Sequence, residues 1–194
     1  VVDGDQIIAM VATEWQRNKT LKHDAVVTTQ MSNLGLELYF KKKGITLLRT
    51  KVGDRYVVEK MREGNFNLGG EQSGHLVMSD YATTGDGLIG ALQVLAALQR
   101  HQKPASQALN VFEALPQILR NVRYAGADPL ETKPVIDAIK KAEKELSKDG
   151  RLFIRKSGTE PLIRIMAEGS DQKKIDEITA NLAKIIENNI SSAA

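Results

Sequence analysis

The 194-residue chain contains no cysteine, and only 5% of its residues are aromatic. The absence of cysteine excludes a disulfide framework, a thiolate metal site and a cysteine nucleophile, and it fits a reducing compartment. The few aromatic residues and the dispersed bases provide no stacking surface of the kind that binds nucleic acid. No apolar run approaches the ~20 residues that cross a bilayer. We therefore expect a cytoplasmic protein with neither a nucleic-acid partner nor a membrane segment.

The composition is that of an ordinary globular protein. Lysine and arginine together number 27 against 24 aspartate and glutamate residues, and 42% of the chain is hydrophobic. A chain of this length forms one large domain or two small ones. It begins Val1-Val2-Asp3, with no methionine and no signal-peptide pattern, so we expect a fragment of a longer protein.

The first hundred residues alternate between helical and strand patterns, which predicts an α/β layer with mostly parallel strands. Asp5, Ser32 and Asp86 are candidate N-caps of three helices. In the helix after Asp86, five apolar residues share one face: Leu88, Ile89, Leu92, Leu95 and Leu98. The predicted order is a helix from Asp5, strand 25–29, helix 32–44, strand 45–52, helix 53–64, strand 75–78 and the helix from Asp86.

The pattern changes after Arg100, where residues 101–104 resemble a linker. Beyond it the sequence predicts strand 118–124, helix 133–147, strands 151–155 and 162–167, and helix 172–188. We therefore predict a mixed α/β sheet domain, residues 1–104, followed by a small α+β domain (β-α-β-β-α), residues 105–194, with the boundary within 103–116.

A candidate phosphate site lies between the two predicted strands of the second domain. Residues 155–161 read RKSGTEP, and Arg164 follows. Hydroxyls, a glycine that allows close approach and two arginine forks are the groups that bind phosphate. Turn amides can also form a concave anion site. A plain hairpin turn with exposed arginines explains the same residues equally well.

A second candidate is the glycine-rich segment 69–75, GGEQSGH. Its glycines allow the backbone to approach a ligand, and its carboxylate, amide and hydroxyl groups can bind sugar hydroxyls. The spacing matches neither a Rossmann nor a P-loop fingerprint. A wide turn between neighbouring strands is the simpler structural explanation.

Two further segments lie at predicted helix starts. Segment 80–87 is better explained by capping, through Thr84 and Asp86, than by binding. Segment 50–55 follows a strand, where open α/β sheets place ligands, although a surface cap is equally compatible. No metal site is expected, because Asp3 and Asp5 have no third carboxylate nearby and the three histidines lack ligand spacing.

Taken in order, four segments resemble active-site motifs of the phosphohexomutase superfamily. Segment 69–75 (GGEQSGH) resembles its sugar-binding loop, and 83–87 (TTGDG) the segment that follows. Segment 155–164 (RKSGTEPLIR) resembles its phosphate-binding loop, and 50–55 (TKVGDR) another site segment. Gln72 and the Gly158-Thr159-Glu160 sequence favour members that interconvert glucosamine 6-phosphate and glucosamine 1-phosphate over phosphomannomutase/phosphoglucomutase members, which remain an alternative.

The resemblance implies roles for individual residues. Glu71 and Ser73 would bind sugar hydroxyls, and Lys51 and Asp54 would lie near the reacting hydroxyl. Some relatives carry histidine in place of Asp54, so the resemblance does not decide whether it acts as acid or base. The phosphate that is not transferred would be held by Arg155, Ser157, Gly158, Thr159 and Arg164.

The resemblance covers the third and fourth of the family's four domains. The family's phosphoserine loop and its D-G-D-G-D-R loop for Mg²⁺ belong to the first two, and neither is present here. The resemblance therefore implies a hexosamine phosphate substrate, an Mg²⁺ cofactor whose ligands are outside this chain, and the N-terminal domains as partners. A homodimer of the whole protein stays open. We expect no catalytic residue in the fragment, and no activity from it alone; a non-catalytic sugar-phosphate-binding module is the alternative.

Overall fold

The computed structural model describes residues 1–125, 128–146, 149–158 and 160–190. Its internal contacts divide the chain into two compact units, Val1–Ala114 and Leu115–Ala194. Residues 111–112 are held in the first unit by Gln6, whose Oε1 accepts from Val111 N at 2.8 Å and whose Nε2 donates to Phe112 O at 2.9 Å. The structural boundary therefore falls after residue 114 rather than after residue 104.

The first unit is a four-stranded mixed sheet with helices on both faces. The strand order is β2-β1-β3-β4, in which β1 runs parallel to β2 and β3, and β4 is antiparallel to β3. The elements are α1 (Gly4–Arg17), β1 (Ala25–Thr29), α2 (Leu34–Lys43), β2 (Thr46–Thr50), α3 (Asp54–Glu63), β3 (Leu68–Gly70), β4 (Leu76–Met78), α4 (Gly87–His101) and α5 (Ala105–Ala108). The predicted α/β class is confirmed, but the sequence analysis did not identify β3.

Two of the three predicted caps are wrong by one or two residues. Asp3 caps α1 by accepting from Gln6 N at 3.0 Å, and Asn33 caps α2 by accepting from Gly35 N at 2.8 Å. The predicted caps, Asp5 and Ser32, are instead fully buried. Asp86 does cap α4, since its Oδ1 accepts from the amides of Leu88 and Ile89.

Buried Asp5 joins the start of α1 to the loop after β1. Its Oδ2 accepts from Asn33 N at 2.7 Å, while its Oδ1 has no hydrogen-bond partner within the described part of the chain. Burial raises the pKa of Asp5 to about 6, because the charged form loses its hydration. The folded state therefore keeps this proton at a pH where the unfolded state has released it.

We expect the free energy of unfolding to fall as pH rises from about 4 to 6, by roughly 3 kcal/mol from Asp5 alone. The folded pKa lies above the unfolded one, so the folded state binds more protons in this window. Asp5→Asn should flatten that part of the pH profile. Urea unfolding of both proteins at several pH values measures it, and an unchanged slope in the variant would show that other groups cause the dependence.

The second unit has the predicted β-α-β-β-α order. Its sheet has the order β5-β7-β6 and is antiparallel throughout. Its elements are β5 (Gln117–Arg123), α6 (Lys133–Leu146), β6 (Gly150–Lys156), β7 (Leu162–Gly169) and α7 (Gln172–Ile190). Both helices pack on one face of the sheet, over Val122, Ile163 and Ile165. Across both units, no helix of the described residues is long and apolar enough to span a bilayer.

Candidate functional site

The carboxyl ends of three parallel strands, β1, β2 and β3, meet at one edge of the first sheet. The segments that follow these strands enclose a cavity of about 260 Å³. It is lined by Thr29, Met31, Val52, Glu71, Gln72 and Ser73. Ligands of open α/β sheets bind at this edge, so two predicted sugar-site residues lie where such a site is expected.

Glu71 connects two of these segments. Its Oε1 accepts from Gly53 N at 3.1 Å, and its Oε2 lies 3.7 Å from His75 Nδ1. The residue is only 9% exposed. In this structure the carboxylate therefore holds the segment after β2 against the glycine-rich loop, in addition to any contact with a sugar.

Ser73 and His75 form the exposed side of the glycine-rich loop. Ser73 Oγ lies 3.2 Å from His75 Nδ1, and the histidine side chain is 65% exposed. Gly74 between them has a φ of 102°, which a residue with a side chain adopts only under strain. The sequence analysis assigned no role to His75, although it is the last residue of the motif; its contact with Ser73 adds it to the candidate residues of this loop.

The amino end of α1 packs directly against the glycine-rich loop, residues 69–75. Gly4 N donates to Gln72 O at 2.9 Å. A Cβ on Gly4 would lie 2.2 Å from Glu71 O and 2.9 Å from Gly74 N. Both atoms belong to the backbone of the loop, so any larger residue at position 4 has to displace it.

We expect Gly4→Ala to shift the amide resonances of residues 71–75 and to lower the free energy of unfolding by about 1–3 kcal/mol, as overpacking does. Gly87→Ala is the matched control, because nothing lies within 4 Å of a Cβ there. It should leave stability unchanged or slightly raised, since alanine favours helix. Two-dimensional NMR and urea unfolding measure both; equal effects would mean that the close approach of Gly4 does not position the loop.

Lys51 and Asp54 lie at the same edge of the sheet but outside the cavity lining. Lys51 is exposed, with Nζ 5.9 Å from the ring centre of Tyr56. Asp54 Oδ1 accepts from Arg55 N at 2.7 Å, and its residue lines a different, open cleft of about 630 Å³ with Thr83 and Thr84. Val52 and Gly53, which lie between them in the chain, line the cavity and donate to Glu71 respectively, and the position of Lys51 and Asp54 near a reacting hydroxyl stays a prediction.

The capping role predicted within segment 80–87 is confirmed for Asp86, whereas that of Thr84 stays a prediction. Asp86 acts as the cap of α4. Asp80 is paired with Lys22 at 2.7 Å and accepts from Asn67 Nδ2 at 2.6 Å, contacts that hold the pKa of this carboxyl below its usual value. Both carboxylates, those of Asp80 and Asp86, therefore stabilise the first unit.

In the second unit, Arg155 on β6 and Arg164 on β7 are directly opposite in the ladder. The Nε atoms of both are buried and have no hydrogen-bond partner among the described residues. Burial, and then the neighbouring charge of Arg164, lowers the pKa of Arg155. Two like charges with unused buried donors form a site that an anion would complete.

The groups described around the arginine pair come from Ser157, Glu160 and strand β5. Arg164 NH2 lies 3.5 Å from Ser157 Oγ and 3.8 Å from Glu160 Oε2. Gly158 is exposed, and a Cβ there would meet nothing within 4 Å. Thr159, also predicted to bind phosphate, lies outside the described residues.

Asn121 of β5 completes a row across the sheet, because it is paired with Arg164 as Arg164 is with Arg155. The sequence analysis missed it, since only the register shows that these residues share a face. Lys156 takes no part in this row; its Nζ lies 2.6 Å from Asp128 Oδ2.

Comparison with known families identifies the domains of this chain. Residues 3–115 match the family model described as phosphoglucomutase/phosphomannomutase, alpha/beta/alpha domain III. Residues 95–185 match the model of the C-terminal domain of the same proteins. The chain belongs to the phosphoglucomutase/phosphomannomutase family and comprises its third and C-terminal domains.

Within this family, the curated relatives with high sequence identity are phosphoglucosamine mutases. The chain is 55% identical over 193 residues to phosphoglucosamine mutase of Allorhizobium ampelinum, covering 100% of this chain and 43% of that protein. The corresponding enzyme of Rhodospirillum centenum is 56% identical over 189 residues, which is 96% of this chain and 40% of that protein. The chain thus spans less than half of the length of these relatives.

Solved structures show the same fold. N-acetylphosphoglucosamine mutase of Aspergillus fumigatus, in complex with GlcNAc-6P and magnesium, matches 97% of this chain and 44% of its own with a TM-score of 0.77 at 20% identity. A second structure of that enzyme gives a TM-score of 0.80 at 22% identity and the same coverage.

Proposed function

We propose that this chain is the part of a phosphoglucosamine mutase that binds sugar and phosphate in the interconversion of glucosamine 6-phosphate and glucosamine 1-phosphate. The relatives at 55% identity carry that name, which favours an amino-sugar substrate over mannose or glucose phosphates. A phosphoserine on another domain would donate to the sugar phosphate, and a bisphosphate intermediate would return the other phosphate to it. This chain would contribute positioning rather than the phosphoryl donor.

The arginine pair is the observation that carries the proposal. Arg155 and Arg164 lie opposite each other with their Nε donors buried and without a hydrogen-bond partner among the residues that the structure describes. A phosphate oxygen that accepts from these donors would remove both the repulsion and the unmet hydrogen-bonding capacity. Forked, planar guanidinium groups also accept a phosphate in more than one orientation, which a mutase needs because either end of its substrate reacts.

The cavity at the edge of the first sheet supports sugar binding. The hydroxyl of Ser73 lines this cavity. One carboxylate oxygen of Glu71 accepts from Gly53 N, and the other lies 3.7 Å from His75 Nδ1. Hydroxyl, carboxylate and imidazole groups pair with sugar hydroxyls. Glu71 would therefore bind the sugar and hold the loop in place at once.

The phosphoryl donor and the metal would belong to other domains. The A. fumigatus structure contains magnesium. Among the described residues of this chain, no group of three or more histidine, aspartate or glutamate side chains could hold a metal ion. The described residues do not fit that cofactor, and we expect the chain alone to be inactive.

An NMR titration of the chain with glucosamine 6-phosphate tests the proposal, with inorganic phosphate and glucosamine as controls. We expect the sugar phosphate to shift resonances of both 69–75 and 155–164, and inorganic phosphate to shift only 155–164. Absence of any shift at 155–164 with phosphate would refute the anion site. Mutase turnover by the purified chain would refute the division of labour between domains.

Glu71→Gln should weaken glucosamine 6-phosphate binding by roughly 10-fold and leave inorganic phosphate binding unchanged. The amide keeps an acceptor for Gly53 N but removes the charge that binds a hydroxyl strongly. Glu59→Gln, on the exposed surface of α3, is the control. Calorimetric titration of both variants measures the two affinities, and equal loss for both ligands in the Glu71 variant would contradict a sugar-specific role.

A further inference from the structure

Arg49, near the end of β2, reaches across to residues 30–33, the segment that joins β1 to α2. Its Nη1 donates to Ser32 O at 2.7 Å and to Thr29 O at 3.2 Å, and its Nη2 lies 3.5 Å from Asn33 O. The side chain is only 12% exposed. A single guanidinium group therefore holds three backbone carbonyls at the carboxyl end of β1.

The residues held in this way supply part of the cavity at the edge of the first sheet. Thr29 and Met31 line it together with Glu71 and Ser73. Met31 N donates to Thr29 Oγ1 at 3.3 Å, so these two lining residues are also linked to each other. The position of this part of the lining therefore depends on where the backbone of residues 29–33 is held.

Two further contacts hold the same segment from other elements. Asp5 Oδ2, at the start of α1, accepts from Asn33 N at 2.7 Å. The backbone of β2 contributes as well, since Gln30 N donates to Thr50 O at 3.0 Å. Neither contact reaches the carbonyl side of residues 32–33, where Arg49 binds. Arg49 is therefore not a duplicate of these contacts.

The location of Arg49 is not one that favours stability by itself. Asn33 is the N-cap of α2, and a cation beside a helix N-terminus is repelled by the helix dipole. Glu37, in the first turn of α2, offsets this repulsion by accepting from Arg49 Nε at 3.1 Å and from Nη2 at 3.0 Å. Desolvation of a buried charge cancels much of the attraction in such a pair. The clearest consequence of the arrangement is a fixed conformation of residues 29–33.

We propose that Arg49 is a positioning residue of the sugar site, acting through the backbone of residues 29–33 on Thr29 and Met31. The inference rests on the proposed function of this cavity. Arg49 is not one of the lining residues, so its effect on a sugar is exerted through Thr29 and Met31. The hydroxyl of Thr29 would pair with the sugar, and the apolar side chain of Met31 would pack against its C–H groups.

The test compares three variants of the chain. Arg49→Met keeps much of the apolar side chain but removes every donor, whereas Arg49→Lys keeps the charge and donors on one nitrogen. Arg17→Met is the matched control, because Arg17 also pairs with a carboxylate, that of Glu14, at 2.6 Å. It lies at the opposite end of α1 from Gly4, about 20 Å along the helix.

Calorimetric titration measures the affinity of each variant for glucosamine 6-phosphate and for inorganic phosphate. We expect Arg49→Met to bind the sugar phosphate roughly 10-fold more weakly and inorganic phosphate unchanged. Arg49→Lys should lose roughly 3-fold and so recover part of the affinity, and Arg17→Met should match the unmodified chain. Without ligand, the amide resonances of residues 30–33 should shift in Arg49→Met and stay in place in Arg17→Met.

Unchanged affinity of Arg49→Met for the sugar phosphate would overturn the inference, and so would equal loss for both ligands, which indicates general destabilisation. If Arg49→Met does not fold, Arg49→Lys decides in the same way: a loss confined to the sugar phosphate supports the inference, and unchanged affinity overturns it. Failure of the proposed function gives a different result. In that case the unmodified chain itself binds glucosamine 6-phosphate no better than inorganic phosphate, and both proposals are refuted together.

Discussion

Arg155→Ala is expected to weaken inorganic phosphate binding by roughly 10- to 100-fold, because a charge-assisted hydrogen bond contributes about 1.5–3 kcal/mol. In the absence of phosphate the same variant should be as stable as the unmodified chain or more stable. It removes a buried Nε that has no partner in the described part of the chain, and it removes the repulsion from Arg164. Phosphate-dependent thermal shifts measure both effects, since a bound ligand raises the Tm by mass action.

Two control variants distinguish the paired N–H donors of the Arg155 guanidinium group from its positive charge. Arg155→Lys keeps the charge but loses the paired donors, so we expect intermediate affinity. Lys141→Ala removes one positive charge from α6, where the side chain is 78% exposed, and should bind phosphate normally. If Arg155→Ala lost stability together with affinity, the arginine would be a structural residue and the anion site would be refuted.

Glu168→Ala is expected to have the largest effect on stability, about 3–5 kcal/mol. Glu168 is fully buried; its Oε2 pairs with Arg151 Nε at 2.5 Å, and its Oε1 accepts from Gln117 Nε2. Removing the carboxylate leaves Arg151 without its buried counter-charge. The pair belongs to the same β6-β7 ladder as Arg155 and Arg164, so the loss weakens the hairpin that carries the arginine pair.

Asp176→Ala serves as the comparison, because its ion pair with Arg120 is about half exposed and such pairs contribute under ~1 kcal/mol. Urea unfolding of the two variants measures the difference. Similar losses for Glu168→Ala and Asp176→Ala would mean that burial does not strengthen the Arg151–Glu168 pair.

The sequence predicted the fold where local signals and burial agree. The alternation of strands and helices in the first unit and the β-α-β-β-α order of the second are confirmed. The N-caps of α1 and α2 are shifted because Asp3 and Asn33 compete with neighbouring cap-forming residues, and only tertiary packing decides which is buried. Asp5 looks like a cap in the sequence but is used to bind Asn33 N.

Strand β3 could not be predicted from its residues, since two of its three are glycines, which favour turns over strands. The structure explains why one of them is there. A Cβ on Gly69 would lie 2.6 Å from Met61 Sδ and 2.7 Å from Val57 Cγ1. Helix α3 therefore packs directly onto the strand backbone, and a glycine that signals a loop in the sequence serves close packing in the fold.

For the candidate sites as well, the sequence predicted some features and only the structure showed others. Residue types and motif order were sufficient to select the glycine-rich loop and the arginine pair, because hydroxyl and guanidinium chemistry is a property of the side chains. Strand register, which the sequence does not state, decided that Arg155, Arg164 and Asn121 share one row. Loop geometry decided that Glu71 reaches Gly53 and His75.

The sequence by itself determined the class of fold, the family and the residue types available for binding, since these follow from local periodicity and motif chemistry. Tertiary structure alone decided which polar groups are buried, which arginine donors lack a partner among the described residues, and that the leucines of α4 face solvent rather than the core. These properties depend on contacts between residues far apart in the chain, such as Trp15 with Gln93. Local sequence patterns cannot predict such contacts.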